Sequence, residues 1–474
     1  MAQQQLPNFT TNFSDWYNEV IFLAELADHA PVKGCMVIRP YGWAIWENMQ
    51  DVLNEKFKEQ GVQNAAFPLL IPLSFLQKEA EHVEGFAPEI AVVTHAGGKE
   101  LEEPLVVRPT SETVIHAMFA RWMRSWRDLP IKVNQWCSVV RWEKRSRPFL
   151  RTTEFWWQEG HTVHETEQEA HEMAKTMHHI YRDFMQDYLA IPVVAAEKPP
   201  HERFAGATAT YTLEAFMPDG KALQMGTSHE ISQSFARAFD MKFQDREGNQ
   251  SYPYLTSWGV TTRMIGALVM SHGDDKGLVL PPKIAPIQII IVPIYKADSK
   301  EVVMDAVTIL ALKLRKKYRV EIDADESSTP GAKFYKWEMK GVPLRIEIGP
   351  RDIANNQAIV VDRLGMGKHT YDLDTMVPTV GKRLDFIQKT LFERAIERRD
   401  KAWITTDKTL AEIGPDLSEG GLFYQVGWSG DVSAVDELKK YKGTIRCILP
   451  TKTSTVCFHT GKPSIYDILI AKAY

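Results

Sequence analysis

The stretch Ile131 to His161, IKVNQWCSVVRWEKRSRPFLRTTEFWWQEGH, decides how the rest of the chain is read. Residues of one kind recur at every second position on both sides of Lys144 to Pro148, the spacing of two strands joined by a basic turn. On the first limb Arg141 and Glu143 share a face; on the second, Arg151, Thr153, Phe155, Trp157, Glu159 and His161 share one. Such a face is a poor core, because unpaired charges are costly to bury. It suits the floor of a site for an anionic, partly apolar ligand. A solvated ladder of salt bridges would use the same charges, but Phe155, Trp156 and Trp157 beside them argue against full solvation.

Around this hairpin the chain has 474 residues, more than one ordinary core, so two or three domains are expected. The 56 basic and 61 acidic residues leave a formal charge of −5, so any contact with nucleic acid has to come from local patches. Cys35, Cys137, Cys447 and Cys457 form no CxxC pair and no disulfide-dense spacing, which suits a reducing compartment. The start, MAQQQLPNFT, lacks a basic segment followed by an apolar one, and no run approaches membrane-spanning length. The expectation is a complete cytoplasmic chain with no membrane contact.

Upstream, Phe13 to Leu26 has helical spacing and CMVIRP reads as a short strand. Trp43 to Gln60 sets Trp46, Met49, Val52, Leu53 and Phe57 on one helical stripe closed by Gly61. NAAFPLLIP reads as an apolar strand whose Pro68 confines it to an edge or bulge. In VVRPTSETVIHAMFARWM a strand turns into a helix, with Thr110, Ser111 and Glu112 where a hydroxyl can cap free amides and an acid meets the positive dipole end. His164 to Tyr188 has helical spacing. RFAGATATYTLEAF and KALQMGTSHEISQSFARAF then bring small residues between strands, which lets a ligand approach the backbone. In TSWGVTTRMIGALVM a strand passes through Gly259 into a helix with Arg263, Gly266, Ala267 and Met270 on one face. An arginine among such neighbours calls for an anionic partner.

Pro281, Pro282 and Pro286 mark a stiff boundary. Beyond it IQIIIVPIY, VEIDAD, PLRIEIG and QAIVVDR read as strands, and Ser299 to Tyr318, Ala332 to Met339 and Leu384 to Arg399 as helices. The alternation predicts a small α/β domain with a mixed or parallel sheet.

The wording of RWE at Arg141 to Glu143, FLRTTEF at Phe149 to Phe155 and WQEGH at Trp157 to His161 resembles motif 2 of class II aminoacyl-tRNA synthetases, and specifically the prolyl-tRNA synthetase family. TSWGVTTRMIGAL resembles motif 3, and the helix with Pro68 resembles motif 1, which implies a homodimer. The implied fold is an α+β class II catalytic domain with an antiparallel sheet over residues 1–283. An α/β anticodon-binding domain over 284–401 and a small α+β C-terminal domain over 402–474 follow it. The implied reaction joins L-proline to tRNA(Pro) through ATP, Mg²⁺ and a prolyl adenylate. By the same resemblance Arg141, Glu143, Arg151, Gln224, Thr227 and Arg263 hold ATP, with Arg141, Glu143 and Arg263 the catalytic groups. Thr110, Glu112, Arg141, Trp157, Glu159, His161, Phe204, His229, Ser257 and Gly259 form the proline site. The Tyr and Thr positions of ATATYTLEA depart from the family wording at the pocket rim.

In WEMKGVPLRIEIGPRD and just beyond, the resemblance assigns Glu338, Arg345, Arg351 and Lys368 to the anticodon. Residues 402–474 resemble the extra C-terminal domain of archaeal and eukaryotic-type members, which often holds zinc on four cysteines. Here Cys457 keeps such a place, Thr460 replaces its expected partner, and Cys447 lies in a strand, so no structural zinc is expected. The terminal Tyr474 resembles the closing tyrosine of the family, whose carboxylate approaches the active site. Bacterial-type members insert an editing domain between motifs 2 and 3, and this interval is too short for one. A synthetase-like sensor of tRNA or amino acid, without aminoacylation, is the alternative; such proteins lose the motif arginines, and Arg141 and Arg263 are present.

Overall fold

The computed structural model describes residues 6–82 and 90–474, so the first five residues of the polar leader lie outside the description. Its centre is an eleven-stranded sheet. From one edge the strands run Trp403–Thr405, Phe423–Trp428, Tyr466–Lys472, Gly443–Ile448, Val193–Glu197, Ala209–Phe216, Ala222–Ser232, Tyr254–Thr261, Glu154–His164, Ile131–Val140 and Gln63–Asn64. Neighbours are antiparallel except at the two ends, where Trp403–Thr405 and Gln63–Asn64 pair in parallel.

The hairpin reading holds, with a longer connection than the sequence suggested. Strands Ile131–Val140 and Glu154–His164 pair from Ile131 opposite Val163 to Val140 opposite Glu154. Arg141, Glu143 and Arg151 therefore sit in the connection rather than on the strands. The apolar segment around Pro68 divides in two. Gln63–Asn64 flanks the large sheet, and Leu70–Pro72 edges a three-stranded sheet with Ala91–Ala96 and Lys99–Val107. A proline donates no ladder hydrogen bond, and the chain changes sheets there.

Helix Pro40–Glu59 buries Trp46, Met49, Leu53 and Phe57. It packs with helices Phe13–Leu23, Glu167–Asp187 and Arg263–His272 in a core behind the large sheet. Strands Ala209–Phe216 and Ala222–Ser232 come between the hairpin and strand Tyr254–Thr261 in sequence; in the sheet Tyr254–Thr261 pairs with Glu154–His164 and they lie on its other side. The α/β unit carries a five-stranded sheet that is mixed: Ile289–Pro293 is parallel to Val320–Ile322 and Leu344–Ile348, while Gln357–Asp362 and Lys368–Asp372 are antiparallel. Its last helix starts earlier than expected, spanning Met376–Ala402, with Val380, Leu384, Ile387 and Leu391 buried. The C-terminal strands continue the large sheet through one pair, Ile448 with Glu197.

Candidate active site

The hairpin floor, the turn before helix Glu112–Trp122, and the strands Ala222–Ser232 and Tyr254–Thr261 enclose a cavity of about 360 Å³. One close approach sets the floor. A Cβ on Gly160 would meet the Trp258 ring at 2.1 Å, so only glycine lets these paired strands carry their side chains past each other. Alternation along Glu154–His164 sends Phe155, Trp157, Glu159 and His161 into the cavity.

The closed end is acidic. Glu112, Glu159 and His161 are almost fully buried and offer ligand atoms within 4.8 Å of one another. His161 Nε2 lies 3.0 Å from Glu159 Oε2, and Gln135 Nε2 donates to Glu159 Oε1 at 2.7 Å and to Ser111 Oγ at 2.9 Å. Burial by itself would raise the Glu159 carboxyl, but the hydrogen bond and charge of His161, with Ser111 and Gln135, hold its pKa below the ordinary 4.5. Burial likewise opposes protonation of His161, and Glu159 with Glu112 overrides it, raising the pKa above 6.5. Thr110 Oγ1 donates to Glu112, and neither Thr110 nor Ser111 caps the helix. These hydroxyls serve the pocket, not the helix end. His229 sits beneath the Phe204 ring, 4.7 Å between centroids, and burial pushes its pKa down to about 3.

The open end is basic. Arg141 Nε donates to the Pro109 carbonyl at 3.0 Å, and its guanidinium lies 5.5 Å from the ring centres of Phe155 and Trp157. Arg151 Nε meets Glu143 Oε2 at 2.8 Å. Arg263 donates to the carbonyls of Leu150 at 3.2 Å and Gln224 at 3.3 Å. Removal from water, then the charges of Arg141 and Arg151, lowers its pKa. Like charges held this close favour a polyanion between them.

All fifteen residues assigned to ATP or proline, from Thr110 to Arg263, line this one cavity. Lys198, Glu202 and Thr210 line it too and were missed. Lys198 Nζ lies 3.2 Å from the buried Glu214, which also binds Arg446 Nε and Nη2 at 3.0 and 2.8 Å. Nothing in EKPPHE marks Lys198, since its partners come from distant segments. Gln135 had a signal: it pairs with Glu159 across the hairpin. The departing positions Thr210 and Tyr211 are both engaged, Thr210 with the Phe204 amide and His229, and Tyr211 with Glu230.

Residues 93–272 match the model for the tRNA synthetase class II core domain (G, H, P, S and T), and residues 288–383 match the anticodon binding domain. A proline–tRNA ligase from Alkaliphilus oremlandii is 51% identical over 476 residues, covering 99% of this chain and 98% of its own. The chain belongs to the proline–tRNA ligase family. It is an aminoacyl-tRNA synthetase. Proline–tRNA ligase 2 from Clostridioides difficile is 49% identical, with 99% and 98% covered. The structure of prolyl-tRNA synthetase from Cryptosporidium parvum, complexed with halofuginone and AMPPNP, superposes with a TM-score of 0.93 at 40% identity over 99% of both chains.

In this ligase-family chain the four residues assigned to the anticodon make different side-chain contacts. Arg345 lies 4.1 Å from the Phe334 ring centre and ion-pairs with Glu347 at 3.0 Å; Lys368 Nζ reaches Glu347 at 2.9 Å. Arg351 is exposed on the short helix Pro350–Ala354. The Glu338 carboxylate instead faces Lys276, 3.8 Å away, at the junction with the catalytic unit. Glu347 and Phe334 were missed; only the sheet alternation of RIEIG hinted at Glu347. Cys457 Sγ lies 3.4 Å from Ser429 Oγ, which also lies 3.4 Å from Thr460 Oγ1.

Proposed function

We propose that the chain activates L-proline with ATP to prolyl adenylate and pyrophosphate, then transfers the prolyl group to the 3′ end of tRNA(Pro). One observation carries the reading: a single cavity has buried carboxylates at one end and three arginines at the other. A secondary ammonium brings two N–H donors, matched by Glu112 and Glu159 with Thr110, while Trp157, Phe204 and His229 enclose the ring. In the first step a carboxylate oxygen of proline attacks the α-phosphorus and pyrophosphate leaves. Alignment and charge neutralisation lower this barrier without a covalent enzyme intermediate. Of the three arginines, Arg141 is the one that feels the charges of Glu112 and Glu159, and it is the group for the carboxylate and α-phosphate. Arg151, Arg263, Glu143, Gln224 and Thr227 hold the nucleotide. In the second step a terminal ribose hydroxyl of the tRNA attacks the acyl carbon and AMP leaves.

Glu143, which lines the cavity beside Arg151, would be a hard oxygen ligand for Mg²⁺, and the ion would supply neutralisation of phosphate charge. Arg345, Arg351 and Lys368, with Phe334 as a stacking surface, fit splayed anticodon bases. Glu338 lies four residues beyond Phe334 on the same helix and belongs to the same reading. Exposed Leu69, Leu70 and Trp122 beside Pro68 support a homodimer through that face. No helix among the described residues is long and apolar enough to cross a membrane, and the composition fits the cytoplasm. With Ser429 and Thr460 around Cys457, the C-terminal unit is held by packing without zinc; metal analysis finding one zinc per chain contradicts this. The deciding assay is ATP–pyrophosphate exchange across a panel of amino acids. Exchange with proline alone supports the reading, and exchange with none supports the sensor.

A further inference from the structure

Within the hairpin connection, Arg147 to Arg151 closes a five-residue turn. The amide of Arg147 donates to the Arg151 carbonyl at 2.6 Å, and the amide of Arg151 returns to the Arg147 carbonyl at 2.9 Å. At its apex Phe149 holds a φ of 57°, a conformation that a bulky side chain adopts only when its surroundings enforce it. Two anchors do so. Tyr17, buried in the N-terminal helix, donates its hydroxyl to the Pro148 carbonyl at 2.7 Å. The Arg147 guanidinium lies 4.6 Å from the Tyr17 ring centre and 5.5 Å from that of Tyr474. Arg147 Nε and Nη2 are buried with no hydrogen-bond partner among the described residues, so the aromatic faces are what meets its charge. Tyr474 is held in turn by its hydroxyl on Asp219 Oδ2 at 2.6 Å and its amide on the Ala222 carbonyl at 3.1 Å. Lys221 Nζ, 2.7 Å from Asp219, also lies 4.7 Å from the Tyr474 ring centre.

We propose that Arg147 is a positioning residue for nucleotide binding, clamped between the rings of Tyr17 and Tyr474 so that Arg151 keeps its place at the open end of the cavity. The side chain of the final residue thereby couples the end of the C-terminal unit to the ATP site. The proposal rests on the reading of Arg151 as a nucleotide contact. Neither Arg147 nor Tyr474 lines the cavity, so their effect must pass through the turn.

The test is ATP–pyrophosphate exchange by the full chain, with KM for ATP and for proline measured separately. Arg151→Ala serves as the reference for the underlying reading. Arg147→Met keeps the length of the side chain and removes its charge. It should raise KM for ATP about three- to thirtyfold, the range of a sheltered cation–π contact, leave KM for proline unchanged, and add little on top of Arg151→Ala. Arg147→Lys should recover part of the loss. Tyr474→Leu keeps the chain end but removes the ring, and should reproduce the Arg147→Met pattern. Tyr474→Phe keeps the ring and should be milder. If Arg151→Ala raises KM for ATP but Arg147→Met and Tyr474→Leu do not, the clamp is wrong and the nucleotide reading stands. If Arg151→Ala leaves KM for ATP unchanged, both are wrong. Equal rises in both KM values for Arg147→Met would mean a general structural defect and would also overturn the clamp.

Discussion

His161 Nε2 lies 3.0 Å from Glu159 Oε2 at the closed end of the cavity, and both side chains are almost completely buried. Each holds the other in its charged form: the carboxyl pKa lies below 4.5 and the imidazole pKa above 6.5. The Glu159 contribution is present above its unfolded value and is lost as pH falls through its lowered pKa. The His161 contribution is present below its unfolded value and is lost as pH rises through its raised pKa. The pair therefore stabilises fully between 4.5 and 6.5 and weakens on the alkaline side. Urea unfolding of the wild type should show a lower midpoint at alkaline pH, and His161→Gln should flatten that alkaline limb. An unaltered limb in the variant would show that the pair does not titrate as described.

Arg141 stands where proline carboxylate and α-phosphate must meet. Arg141→Ala should lower proline-dependent pyrophosphate exchange at least about a hundredfold, the scale of losing one preorganised group that neutralises transition-state charge. Its thermal midpoint should hold, because the guanidinium reaches the open side of the cavity. Near-normal exchange would refute the role.

Glu112 accepts from Thr110 and faces the position given to the imino group. Glu112→Gln keeps the shape and removes the charge, so it should raise KM for proline by roughly ten- to a hundredfold, the value of a charge-assisted hydrogen bond. KM for ATP should not move. Parallel rises in both constants would place Glu112 outside the proline site.

Arg446 reaches across from the C-terminal unit to Glu214, which is fully buried in the catalytic sheet. Arg446→Met leaves that carboxylate with Lys198 as its remaining cation. Breaking one side of a buried pair costs about 3–5 kcal/mol, visible as a lower urea midpoint. The double variant with Glu214→Gln should recover part of the loss. An unchanged midpoint for Arg446→Met would show that the pair adds nothing.

Alanine is smaller than proline, and a pocket discriminates against lost methylenes by only about 1–3 kcal/mol. The residues between the hairpin and strand Tyr254–Thr261 form helix Glu167–Asp187, three strands of the large sheet, the short helix Ser234–Ala238 and a two-stranded sheet of Phe243–Gln244 with Gln250–Ser251, too little for a further domain. Purified chain should form alanyl-tRNA slowly and not hydrolyse it. Hydrolysis by this chain alone would reveal a proofreading centre.

Much of this was legible in the order of residues. Alternation from Gln135 to His161 gives the hairpin and the face that carries Trp157, Glu159 and His161, because strand periodicity is a local property. Helical stripes and proline breaks likewise located four strands and three helices of the α/β unit to within a turn or two, apart from the early start of its last helix at Met376, but gave no sign of strand Lys368–Asp372 or the short helix Pro350–Ala354. Tertiary structure decided what those faces meet. Local spacing could not tell that Thr110 serves Glu112 instead of capping a helix, that Lys198 joins Glu214 and Arg446, or that Glu338 turns toward Lys276 while Arg345 finds Glu347. Nor could it bring Tyr474 beside Arg147, more than three hundred residues earlier. Periodicity is written between neighbours in the chain, whereas burial, pairing and pKa depend on groups that only folding brings together.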